Sequence, residues 1–210
     1  MDESYYIYKN IRNLTWDILI NKSSGELPLN IEEIAKQSGI ARIESYEKGH
    51  ELLSFCGLWE IAEAQRAISV YTDCWHIFYN NRIAGEGNSR IFPIAHELGH
   101  ILLGHNMDKI KVGFFSAFYT KWNKEDVTHD GVECEANIFA SRLLAPACVL
   151  NGINCLESDD IMNLCGLDSI SAKERSERLK KLIVKNNFFK NGQEAKVFDK
   201  FSSFIKMYKD

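Results

Sequence analysis

Two histidines and a glutamate stand close together in the run His96-Glu97-Leu98-Gly99-His100. Side chains four residues apart on a helix lie one turn apart on one face, so both imidazoles reach a single ion. Glu97 sits beside them, placed to take a proton from a water activated by that ion. The H-E-x-x-H spacing therefore predicts metal-assisted hydrolysis. Histidine is scarce, 6 of 210 residues, which sharpens the signal. A second run, His50-Glu51-Leu52-Leu53-Ser54, starts the same way but lacks the second histidine and reads as coincidence.

The residues that must position this chemistry are legible around it. Ile94, Ala95, Leu98, Ile101, Leu102 and Leu103 predict a buried helix. Asn88 and Ser89 are candidate N-caps, Pro93 must fall in the first turn, and Gly104 closes the far end. A catalytic zinc takes three protein ligands and keeps one position open. The third is sought in Glu133-Cys134-Glu135-Ala136-Asn137-Ile138-Phe139-Ala140-Ser141-Arg142-Leu143-Leu144-Ala145-Pro146, a predicted second buried helix stopped by its proline. Glu133 is preferred, because Asn137 lies one turn on and can hold a ligand histidine from behind. Glu135 is the alternative. Cys134 reads as a small apolar residue.

These two blocks, His96 to His105 and Glu133 to Pro146, together resemble the ImmA/IrrE family of metallo-endopeptidases. That family follows the pattern H-E-L-G-H-x-x-L-G/x-H and then E-x-E/Q-A-N-x-F-A-x-x-L-L-x-P. The resemblance implies one Zn2+ per chain on His96, His100 and Glu133, with Glu97 as general base. It implies a zincin-like α+β core in which an edge strand holds substrate as an added strand. It also implies the substrate class, a helix-turn-helix transcriptional repressor or regulator of a mobile-element, phage or toxin–antitoxin-like system. Two departures stand out: Ala145 replaces the usual Met before Pro146, and the connection from His105 to Glu133 is long. The alternative reading is a non-proteolytic anti-repressor with an idle or structural metal.

Composition narrows the class. Net charge is −4, yet residues 171–210 hold 11 Lys/Arg against 5 Asp/Glu. That basic end reads first as a solvated helix face, and a pI near 5.9 argues against nucleic acid as the main partner. No apolar stretch has transmembrane length. Met1-Asp2-Glu3-Ser4-Tyr5-Tyr6 is too polar for a secretion signal, and six cysteines form no C-x-x-C pair. The expectation is reduced thiols and a cytoplasmic location.

The remaining pattern predicts a helix over 4–20 and another from Asn30 to Gly39. Strands follow at 40–46, 67–72 and 75–80, the last taken as the substrate-holding edge. The division expected is a zincin-like metallopeptidase domain over 1–147 and a small helical, helix-turn-helix-like region with an amphipathic C-terminal helix over 148–210. Ser171 opens the second helix of that pair through a capping box, and Arg175, Arg178, Lys180 and Lys181 offer a basic face. Tyr79, Phe118, Tyr119 and His129 are candidates for a substrate groove. Tyr119, His105 and His129 are candidates for stabilising an oxyanion.

Overall fold

A computed structural model describes residues 3–84, 90–105 and 127–209. The chain divides into two compact units, Ile31–Asn137 and Met1–Asn30 with Ile138–Asp210. The secondary structure is mixed α+β, with many helices and, among the described residues, one three-stranded sheet.

The unit Ile31–Asn137 holds α2 (Ile31–Gln37), β1 (Ile40–Ser45), α3 (His50–Phe55), α4 (Trp59–Ala64), β2 (Ala67–Tyr71), β3 (Trp75–Tyr79), α5 (Asn81–Ala84), α6 (Ile91–Leu103) and the first part of α7 (Val127–Leu144). Its three strands fall within a residue of their predicted spans. The order is β1-β3-β2, with β3 parallel to β1 and antiparallel to β2. β3 is therefore the central strand, which corrects the expectation that 75–80 is an edge. The hairpin uses one side of β3, and β1, returning from far upstream, uses the other. Among the described residues β2 pairs only with β3, so β2 is an edge strand.

Strand alternation sorts the sheet's two faces. Ile68, Val70 and Phe78 join Tyr46, Leu53, Leu58 and Ala62 in a buried cluster with α3 and α4. Gly49 is required there, because a Cβ at this position would overlap the Phe78 ring. Ser69 and Ile77, directly paired, alternate with those residues, and the Ser69 hydroxyl bonds to α6. His50, on α3, packs edge-on against Trp59 with ring centroids 4.5 Å apart. Its role there is packing.

The other unit holds α1 (Glu3–Lys22), the end of α7, α8 (Ala147–Gly152), α9 (Ser158–Cys165), α10 (Ser169–Val184), α11 (Gly192–Lys200) and α12 (Ser202–Lys209). α9 and α10 are joined through Gly166 at φ 68°, a turn that suits glycine. Asp168, not Ser171, caps α10, accepting from the Ser171 amide at 2.8 Å. Arg175 leaves the expected basic face: it is buried, and its Nε donates to the Ala145 carbonyl at 2.7 Å. The C-terminal segment is two helices rather than one, parted at the buried Phe201. Ser202 and Ser203 follow, and serine competes for backbone hydrogen bonds that would continue a helix. No helix among the described residues is long and apolar enough to cross a membrane.

Candidate metal centre

α6 begins at Ile91, so Pro93 occupies its first turn, where a missing N–H costs nothing. Asn88 and Ser89 lie outside the described residues. The C-terminal end is a Schellman closure: the Gly104 amide donates to Ile101 and the His105 amide to His100, with Gly104 at φ 75°. Its effect is to fold His105 back onto the helix it has just left.

His96 and His100 project from one face of α6 and meet Glu133 from α7. The two Nε2 atoms are 3.0 Å apart. Glu133 reaches His96 Nε2 with Oε2 at 3.1 Å and His100 Nε2 with Oε1 at 3.3 Å. A tetrahedral zinc with bonds of about 2.0–2.1 Å separates its ligand atoms by about 3.4 Å. The triangle of two imidazole nitrogens and one carboxylate thus has nearly the edge length the ion demands. The residues present fit a zinc ion on the chemistry and spacing of their donors.

The surroundings fix each donor. His96 Nδ1 lies 2.8 Å from Asn137 Oδ1, so the ring donates there and turns its Nε2 lone pair toward the cluster. His100 is fully buried, and its Nδ1 lies 3.0 Å from His105 Nδ1. His105 Nε2 in turn lies 3.3 Å from Glu135 Oε2. Glu135 thus stands behind His105 and outside the donor triangle, which separates its place from that of Glu133.

The charges agree with the geometry. Burial raises the Glu133 carboxyl, but the hydrogen bonds and charges of His100 and His96 outweigh it and hold the group well below the usual carboxylate range. Burial lowers His96, yet the Glu133 hydrogen bond and the charges of Glu97 and Glu133 carry it above the ordinary imidazole value. Burial and the neighbouring His100 charge lower His105.

Glu97 is buried beside the triangle, 7% exposed, and Ser69 Oγ donates to its Oε2 at 2.6 Å. Sequence reasoning missed Ser69. The available signal was a lone hydroxyl in an otherwise apolar or aromatic strand, where a buried polar group needs a partner. It also missed the pairing of His105 with His100.

Tyr79 ends the central strand, and its hydroxyl accepts from Arg90 Nη1 at 3.4 Å. Among the described residues no hydrogen bond joins it to the triangle. Phe118 and Tyr119 lie outside the described residues, as does the side chain of His129. A second cluster, Asp73, Cys74 and His76, sits at the β2–β3 turn. Its groups satisfy one another: Thr72 and Cys74 both donate to Asp73, at 2.9 and 3.3 Å, and Thr72 Oγ1 meets His76 Nε2 at 3.1 Å. Burial and Asp73 both raise the Cys74 thiol.

An α+β unit that presents two imidazoles and a carboxylate at zinc spacing, with a buried glutamate alongside, has the donor chemistry of a metal-dependent hydrolase. Residues 69–162 match the sequence profile of the IrrE N-terminal-like domain, family Peptidase_M78. Over that span the chain is similar to this peptidase family, and the matched span contains both helix blocks and begins at Ser69. No curated protein and no solved structure matches the chain.

Proposed function

We propose that this chain is a zinc-dependent metallo-endopeptidase in which His96, His100 and Glu133 hold one ion and Glu97 is the general base. The observation that carries the reading is the donor triangle with 3.0–3.3 Å edges, inside a peptidase-family segment. Bound there, zinc supplies Lewis-acid polarisation of the scissile carbonyl and lowers the pKa of a water to about 7. Glu97 draws the proton from the attacking water and returns it to the leaving amine. Ser69 occupies one of its carboxylate oxygens and leaves the other for that transfer. Asn137 keeps His96 in the tautomer that offers Nε2. The open edge of β2, beside Glu97, is the place for an extended peptide to add as a strand by backbone hydrogen bonding. That assignment replaces β3.

The substrate in this reading is a helix-turn-helix transcriptional regulator, which the family resemblance supports. The protein then works as a selective switch in a mobile-element, phage or toxin–antitoxin-like setting. Six free cysteines suit a reducing cytoplasm. The α9–α10 pair serves to dock a protein partner, a role favoured by the burial of Arg175, which removes a charge from the basic face.

The test mixes the full chain, loaded with zinc, with the regulator encoded beside it. A discrete cut is expected, abolished by a chelator and by Glu97→Gln, with that variant still binding about one zinc. Undiminished cleavage by Glu97→Gln overturns the assignment of the base. Relief of repression by Glu97→Gln without any cut overturns the protease reading in favour of an anti-repressor.

A further inference from the structure

His105 is nine residues beyond His96 and outside the donor triangle, yet its side chain is only 6% exposed. Proton positions along its contacts follow from the cluster outward. In the metal-binding reading, on which this argument rests, His100 offers its Nε2 lone pair to the ion, so its proton sits on Nδ1. That N–H faces His105 Nδ1 at 3.0 Å, which must then be the acceptor. The His105 proton is left on Nε2, where Glu135 Oε2 waits at 3.3 Å. Each atom in the sequence has one role, and no donor meets a donor. The chain is anchored at both ends: by the Schellman closure at Gly104, which sets His105, and by α7, which carries Glu135 as well as Glu133.

We infer that His105 is a positioning residue, which accepts the Nδ1–H of His100 and, backed by Glu135, holds that ligand in the tautomer and orientation that bind the ion. It touches neither substrate nor ion. Asn137 gives His96 the same support with an amide oxygen. The two ligand histidines are therefore held by different chemistry. The His100 side ends in a carboxylate, which raises the basicity of the ligand through the intervening ring. This excludes His105 from oxyanion stabilisation, because its Nδ1 and Nε2 are both engaged.

The test compares wild type, His105→Ala, His105→Asn and Glu135→Gln as full chains. Zinc affinity is measured by competition with a chromophoric chelator, and the absorption spectrum is recorded with Co2+ in place of zinc. Wild type is expected to bind one ion. His105→Ala should weaken zinc by about 10–100-fold and alter the Co2+ spectrum. His105→Asn, whose amide oxygen falls near the place of Nδ1, should recover part of the loss. Glu135→Gln should give a smaller weakening while circular dichroism stays that of the wild type. It carries the test if His105→Ala does not fold. Wild-type zinc affinity and an unchanged Co2+ spectrum in folded His105→Ala, or in Glu135→Gln should the former not fold, overturn this inference alone. Failure of the wild type itself to bind zinc overturns the metallopeptidase reading, and the inference with it.

Discussion

Ser69 on the edge strand donates to Glu97 on the metal helix across 2.6 Å, tying the sheet to the group assigned as the base. Removing that hydroxyl leaves a buried carboxylate with one partner fewer. Ser69→Ala is expected to cost about 1–3 kcal/mol in urea unfolding. It should also lower kcat by about tenfold, since proton transfer depends on where the carboxylate is held. An unchanged kcat would show that Glu97 is positioned without Ser69.

Asn137 has one contact that defines its role, the 2.8 Å hydrogen bond to His96 Nδ1. Asn137→Ala should weaken zinc by about 10–100-fold. Asn137→Asp, which keeps an acceptor oxygen, should restore most of it. Equal affinities in all three proteins would remove Asn137 from the site.

Zinc uptake should depend on pH in a defined direction. His96 lies above its ordinary value in the metal-free protein, chiefly through Glu133 acting against the effect of burial. Below that raised value His96 is protonated, and the ion must displace the proton; above it, none is displaced there. Affinity should therefore fall as pH drops through the raised imidazole value, earlier than for an ordinary histidine. Calorimetry in buffers of different ionisation enthalpy should detect proton release on binding near neutral pH and less of it at alkaline pH. Glu133, held low, stays ionised throughout this window.

Gly49 and Gly25 test the two compact units separately. A Cβ at Gly49 would overlap the Phe78 ring, and one at Gly25, at φ 85°, would overlap the Lys200 carbonyl. Gly49→Ala should destabilise by about 1–3 kcal/mol through overpacking. Gly25→Ala should cost at least as much, because the neighbour is backbone and the conformation is itself strained for alanine. Thermal unfolding followed by circular dichroism measures both.

The two helices that carry the donor triangle and the three strands were legible in the sequence because each rests on local pattern. Trp75, Ile77, Phe78 and Tyr79 mark a strand wherever it sits in the sheet. That β3 is central was not legible, since β1 pairs with it across some thirty residues of chain and nothing local encodes that choice. The six-residue helices α3 and α4 are too short to show a period. Glu133 was separable from Glu135 by the position of Asn137. The use of His105 was hidden, because a Schellman closure reverses the side chain's direction just where helical periodicity stops applying. Arg175 misled for a related reason: a basic residue among basic neighbours does not announce that its own nitrogen caps a buried carbonyl.

The three histidines of one short run all find partners on α7: Asn137 and Glu133 for His96, Glu133 for His100, Glu135 for His105. A helix sliding by a single residue would lose all three matches together. On the proposed assignment, metal binding would then report on correct assembly, since a misdocked chain would have nowhere to keep an ion. A hydrolase of the proposed kind would be harmless until it is correctly made.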